Sequence, residues 1–172
     1  MKEVKGYLAN QLGFSKTGEY ALENLIKSPI REIGIKIHDP FIECEKEQNI
    51  SHLNSLKLYD EVFDYWKKFS YKVNPINNAL MRDSDCMFAI LDGGHQVDEG
   101  VASEIGFYAG IERGPIFALR SDFRGGENLA VPINTQVLGY IYLSKGNLFD
   151  GKNAIKNWLN AIRNFYDHFQ NS

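Results

Sequence analysis

Two short, wholly apolar runs, Met87–Leu91 and Pro115–Leu119, bracket a helical stretch, Asp98–Arg113, and this arrangement admits few folds. A strand without a polar face must be covered on both sides, as parallel strands in an α/β sheet are. The first run ends in Asp92-Gly93-Gly94 and the second in the charged knot Arg120-Ser121-Asp122-Phe123-Arg124. Carboxylates just past a parallel strand, and in the helix that follows, stand where open α/β sheets put their ligands. Here those are Asp92, Asp98 and Glu104. Acidic groups gathered in one cleft point to acid–base or nucleophilic chemistry.

The same alternation extends over the chain. Val4–Leu8 reads as a first strand, followed by a loop, Asn10–Phe14, and a helix capped by Ser15. Tyr20, Leu22, Leu25 and Ile26 supply that helix with an apolar face, and Pro29 closes it. Ile33–Ile37 reads as a second strand ending at His38-Asp39-Pro40. Glu43–His52 is polar and is expected to be an irregular excursion. Leu53–Phe69 carries apolar residues every three to four positions, and a shorter helix, Pro75–Asp83, leads into the strand Met87–Leu91. After Leu119 come a long loop through Pro132, a helical or strand piece at Ile133–Leu143 and a last helix, Asn153–Gln170. The expectation is an α/β, doubly wound, mainly parallel five-stranded sheet with helices on both faces, flavodoxin/Rossmann-like, in one domain spanning 1–172.

Composition narrows the function. The chain has 172 residues, 44% hydrophobic and 24% charged, with a formal net charge of −3. Those values are ordinary for a globular domain, and without a Lys/Arg cluster a nucleic-acid polymer is not an expected partner. No apolar run approaches the roughly 18 residues of a membrane span, so no membrane partner is expected either. The first residues read directly into a strand, leaving no room for a signal peptide. Cys44 and Cys86 lack metal or redox spacing, and Cys86 reads as a small buried hydrophobe. A cytoplasmic protein is the expectation. The four histidines, His38, His52, His95 and His168, share no spacing of a metal site or triad. No phosphate-cradling glycine motif is present.

Glu104 is conspicuous on a helical wheel. With Val101 as reference, Ile105 lies at about +40°, Tyr108 at about −20° and Ile111 at about −80°. Glu104 falls at about −60°, inside this apolar arc, so it either lines a cavity with hydrogen-bond donors or reaches water at an edge. Glu112 maps to the same arc, at the last turn. Gly106 and Gly110, on the opposite side, each cost about 1 kcal/mol of helix propensity, which points to close approach of another backbone, either the sheet or a neighbouring subunit. Asp92 reads as a turn residue or a site carboxylate, and Asp98 as a helix N-cap or a ligand group. Arg120 and Arg124 are surface charges or organisers of the carboxylates. Tyr7 lies near the sheet edge that also bears Asp92, where its hydroxyl can hold a carboxylate or its ring can pack.

Taken in order, these residues resemble the nucleoside 2-deoxyribosyltransferase family. The resemblance is carried by Tyr7-Leu8-Ala9 with Gly13-Phe14-Ser15, by Asp39-Pro40, and by Asp92-Gly93 followed by Asp98. It continues through Gly100-Val101-Ala102-Ser103-Glu104-Ile105-Gly106, Arg120–Arg124 and Asn134, with Gln136 two residues on. The family exchanges the base of a 2′-deoxyribonucleoside without metal or organic cofactor. The resemblance therefore implies Glu104 as the nucleophile at C1′, Asp92 as the group managing the proton of the base, and Tyr7 as the orienter of Glu104. It implies that Asp98 holds sugar hydroxyls, with Gly100 beside it. Asn134 would reach the sugar in a neighbouring subunit's site, with Gln136 near it, in a homo-oligomer.

Phe14, Phe123 and Tyr142 are candidate aromatic walls of a closed pocket. The implied partners are 2′-deoxyribonucleosides and free purine bases, with pyrimidines left open. Departures from the family pattern are Ala9-Asn10-Gln11, Gln136 in place of an apolar residue, the Glu43–His52 region and the Gly94-His95-Gln96 loop. Two alternatives stay open: an N-glycoside hydrolase of deoxynucleosides or their 5′-monophosphates, and a non-catalytic nucleotide-binding α/β module. A carboxylate at Asp98 disfavours a phosphate at that helix start.

Overall fold

The computed structural model describes residues 2–93, 96–122 and 133–172. β1 (Val4–Asn10) leads through a 3₁₀ turn, Leu12–Phe14, to α1 (Lys16–Ala21). A π-helical stretch, Leu22–Lys27, joins α1 without a break to α2 (Ser28–Ile33), and β2 (Ile35–His38) follows. Then come α3 (Pro40–Lys46), α4 (Ile50–Ser55), α5 (Tyr59–Arg82) and β3 (Cys86–Ile90). The chain continues with α6 (Glu99–Gly110), β4 (Ile116–Leu119), α7 (Thr135–Leu143), β5 (Asn147–Phe149) and α8 (Ala154–Asn171). The five strands are all parallel, in the order β2-β1-β3-β4-β5. The expected doubly wound α/β sheet is therefore present, with its direction of winding reversing between β1 and β3.

Period-two alternation divides the strands between two cores. Tyr7 and Ala9 of β1, with Met87 and Ala89 of β3, face Val101, Ile105 and Tyr108 of α6 and Val137 and Ile141 of α7. Val4 and Leu8, with Cys86, Phe88 and Ile90, face Leu22, Ile26 and Ile30 on one side of the chain's other helical layer and Trp158 and Ile162 of α8 on the other. Both strand faces are thus dry, which is why β3 needs five apolar residues in a row. The Trp158 indole N–H donates to the Phe117 carbonyl at 2.9 Å, satisfying the polar atom of the largest buried side chain.

Several expectations are corrected. Pro29 does not end the first helix; it stands in the opening turn of α2, and the wider π turn before it leaves room for its ring. The helix stops instead at Gly34, whose φ of 105° provides a left-handed cap. β2 accordingly starts at Ile35 and not Ile33. Tyr20 and Leu25 are exposed, and the buried face is Leu22, Ile26 and Ile30. Glu43–His52 is not irregular: Asp39 caps α3 through the Phe41 N–H (3.0 Å), and Asn49 caps α4 through the His52 N–H (2.9 Å). Leu53–Phe69 and Pro75–Asp83 are not two helices. α5 is continuous through Pro75, and it begins at Tyr59 because the Glu61 carboxylate accepts the Lys57 and Leu58 N–H groups. Ile133–Leu143 resolves into a helix, and the fifth strand, Asn147–Phe149, falls where no strand was expected. Within the chain Gly106 meets the Tyr140 ring of α7 and not the sheet backbone, and a Cβ at Gly110 would have no neighbour within 4 Å among the described residues. The loop through Pro132, with Phe123 and Arg124, lies outside the described residues.

Candidate active site

Glu104 sits in the second turn of α6, facing the buried Tyr7 of β1. The Tyr7 hydroxyl donates to Glu104 Oε1 at 2.6 Å. Asn77 Nδ2 of α5 donates to the same oxygen at 3.0 Å. A half-buried carboxylate inside an apolar arc has thus found donors, as its position on the wheel required. Glu112, on the same arc, lies past the end of α6, is exposed and needs no such partners. Burial pushes the Glu104 carboxyl up to about 7, against the hydrogen bonds from Tyr7 and Asn77, while the charge of Asp98 adds to the rise. Burial, together with the charge of Glu104, holds the Tyr7 phenol protonated far above its ordinary range.

Glu104 and Asn77 open onto a cavity of ≈ 420 Å³. Phe14, Phe41, Phe69 and Val73 form apolar walls, and Asn10, Gln48, Asp98 and Gly100 bring polar groups and backbone to it. Phe14 and Phe41 meet edge to face, with ring centroids 4.8 Å apart. Apolar walls with a few convergent polar groups are the usual make-up of a small-molecule site. It lies near the C-terminal end of β1, beside the reversal of winding, where doubly wound sheets hold ligands.

The remaining candidates take distinct places. Asp98 is the N-cap of α6, accepting the Val101 N–H at 3.1 Å, and it also lines the cavity. Asp92 lies two residues past β3 and does not line this cavity. Its carboxylate accepts from Ser121 N (2.7 Å), Ser121 Oγ (2.5 Å) and Asp122 N (3.0 Å), tying the end of β3 to the end of β4. Arg120 is buried beside Asp122, at 3.4 Å, and is no surface charge. Asn134 caps α7, accepting the N–H groups of Gln136 (2.9 Å) and Val137 (3.3 Å). Both Asn134 and Gln136 are exposed and away from the Glu104 cavity, as is Tyr142. Phe14 and Gly100 line the cavity. Among the described residues no group of three His, Cys, Asp or Glu gathers as metal ligands would. Among them, too, no helix is long and apolar enough to cross a membrane.

Sequence reasoning missed Asn77, Cys44, Phe41 and Gln48. For Asn77 a signal existed: it stands four residues before buried Met81 and four after half-buried Val73, a polar side chain within an apolar stripe. Dividing the helix at Pro75 hid that stripe.

Known proteins resemble the chain in fold and in sequence family. Among curated proteins no sequence matches. A conserved protein of Enterococcus faecalis V583 superposes with a TM-score of 0.62 at 22% identity, covering 95% of this chain and 99% of that one. A 2-deoxyribosyltransferase of Leishmania mexicana gives a TM-score of 0.55 at 17% identity, covering 91% and 97%. A CMP N-glycosidase of Clostridium botulinum gives 0.54 at 14% identity, covering 92% and 97%. Such identities establish a shared fold. The sequence itself matches the nucleoside 2-deoxyribosyltransferase family over residues 7–136, from the tyrosine that holds Glu104 to the first turn of α7. By that match, over most of its length, the chain belongs to the nucleoside 2-deoxyribosyltransferase family.

Proposed function

We propose that the protein transfers a 2-deoxyribosyl group between nucleobases through a covalent ester on Glu104, with net retention. The observation that carries this reading is the arrangement of the Glu104 carboxylate. Both of its described donors, Tyr7 and Asn77, converge on Oε1, beside an apolar cavity with room for a nucleoside. Oε2, which receives no hydrogen bond among the described residues, is the attacking atom. It bonds to C1′ as the C1′–N bond breaks, and the electron pair leaves on the base, which takes up a proton. A nitrogen of the incoming base then displaces Glu104 from C1′ and loses its proton. Two inversions give retention, as in retaining glycosidases.

Protonation of the departing base is worth roughly 10²–10⁴ in rate. Asp92 is assigned to that end of the substrate by its place in the family's motif; its carboxylate is held at the end of β3 by three donors, outside the lining of the Glu104 cavity. Asp98 is assigned to sugar hydroxyls, Phe14 and Gly100 to the wall around them, and Asn134 with Gln136 to the site of a neighbouring subunit. The Asp98 carboxylate at the start of α6 occupies the helix end that would bind a 5′-phosphate, and favours nucleosides over their monophosphates.

Incubation with deoxyinosine and free adenine, followed by chromatography, tests the proposal. Deoxyadenosine is expected from the wild type and not from Glu104→Ala, with thymidine as a second donor to set the range of bases. Free hypoxanthine without deoxyadenosine would make the protein an N-glycoside hydrolase instead. Unchanged substrate with either donor would call for the 5′-monophosphates as the next donors, and a binding module would be the better reading only if these too stayed intact.

A further inference from the structure

We propose that Asn77 is a positioning residue for Glu104, and that Cys44 sets the direction of its amide, so that Oε1 stays pinned and Oε2 faces the cavity. The proposal rests on the reading of Glu104 as nucleophile. Its geometry is a relay across three elements. Cys44 Sγ of α3 donates to Asn77 Oδ1 of α5 at 3.7 Å, and Asn77 Nδ2 donates to Glu104 Oε1 of α6 at 3.0 Å. An amide turned by 180° would set its oxygen against the carboxylate, acceptor against acceptor. The Cys44 S–H, donating to Oδ1, adds to that preference, because sulfur is only a weak acceptor for the amide N–H that a turned side chain would offer it. Burial, then the charge of Glu104, push the Cys44 thiol above its ordinary range, so it keeps its proton while Glu104 ionises.

The groups facing Glu104 give this amide its weight. β1 offers the Tyr7 phenol, α3 the Cys44 thiol and α6 the Asp98 carboxylate, while Asp39 at the end of β2 acts on Tyr7. Among the described residues no cation acts on the Glu104 carboxyl. The ionised nucleophile is therefore held by two neutral donors, of which Asn77 is one. Tyr7 alone would leave the carboxylate free to turn about its Cγ–Cδ bond and present either oxygen. Two donors from different directions on one oxygen remove that freedom, and freezing the attacking geometry is where positioning contributes to rate.

The test follows the Glu104 carboxyl carbon by NMR in protein labelled at glutamate, with Glu104→Gln identifying the signal. Asn77→Leu removes the donor, and Asn77→Asp replaces it with a second acceptor of the same shape. The titration midpoint is expected to rise by about one pH unit in Asn77→Leu and further in Asn77→Asp. Cys44→Ala should move it in the same direction by less, with Cys44→Ser restoring it. In the transfer assay the acid limb of the rate should move with the midpoint, while KM changes by less than about two-fold. An unchanged midpoint in a folded Asn77→Leu would overturn the proposal, as would a raised KM with an unshifted pH profile. If Asn77→Leu does not fold, the Cys44 pair decides in the same way. A midpoint that moves while Glu104→Ala still transfers the sugar would uphold the positioning and defeat the functional reading.

Discussion

At Glu104 the protein keeps a carboxylate where burial favours its protonated form, and relies on two hydrogen bonds to bring it back towards ionisation. The group is raised from 4.5 to about 7, so the folded state binds its proton more tightly than the unfolded chain does. Stability contributed here is greatest below about 4.5 and is lost as the pH rises through about 7. Glu104→Gln, which cannot ionise, should therefore be more stable than the wild type at alkaline pH by about 1 kcal/mol, after allowance for solvent screening. Thermal unfolding on both sides of this window checks it, the advantage shrinking as the pH falls. Catalysis has the opposite sign: transfer needs the ionised form and should fall as the pH drops below about 7. Glu104 was legible in the sequence because one helix carried both it and the apolar arc around it. Asn77 left a fainter signal, a polar residue within the apolar stripe of α5, which a helix divided at Pro75 does not display, and its partner on α6 lies 27 residues away.

Among the elements, α7 opens on a side chain with a structural role that can be separated from its proposed one. Asn134 closes the helix start with two accepted hydrogen bonds. Asn134→Ala should cost about 1 kcal/mol in thermal unfolding, and Asn134→Asp, which accepts the same bonds, should recover it. If the amide also reaches a neighbour's sugar, transfer should be lost in both variants; recovery in Asn134→Asp would leave a cap and nothing more. Element boundaries followed the sequence where local chemistry decided them, as at the Ser15 cap, which accepts the Gly18 N–H at 3.0 Å. They failed where packing decided them. β5 has three residues, too few for alternation to register, and its position is fixed by Gly146, where a Cβ would stand 2.0 Å from the Ile116 carbonyl oxygen. Pro75 reads as a break, yet α5 carries it on its exposed side.

For the whole molecule, mixing variants distinguishes a site made by one chain from a site shared by two. Asn134 and Gln136 are exposed and do not line the cavity that Glu104 opens onto. Tyr59, Phe63 and Tyr71 of α5 are between 58% and 80% exposed, apolar surface of a kind that association covers. If sites are shared between subunits, Glu104→Ala and Asn134→Asp, each inactive alone, should complement when mixed and allowed to exchange. Random pairing of reciprocal sites gives about a quarter of wild-type transfer, and no recovery would place every site residue in one chain. The single bond from Tyr7 to Glu104 carries a last consequence. Its ends are 97 residues apart along the chain, and Asn77 lies 27 residues before Glu104. No fragment shorter than that span holds both donors and the carboxylate. Closing so long a loop belongs to the slow, non-local part of folding, so an emerging or partly refolded chain has no nucleophile in place, and catalytic competence arrives only with the finished sheet.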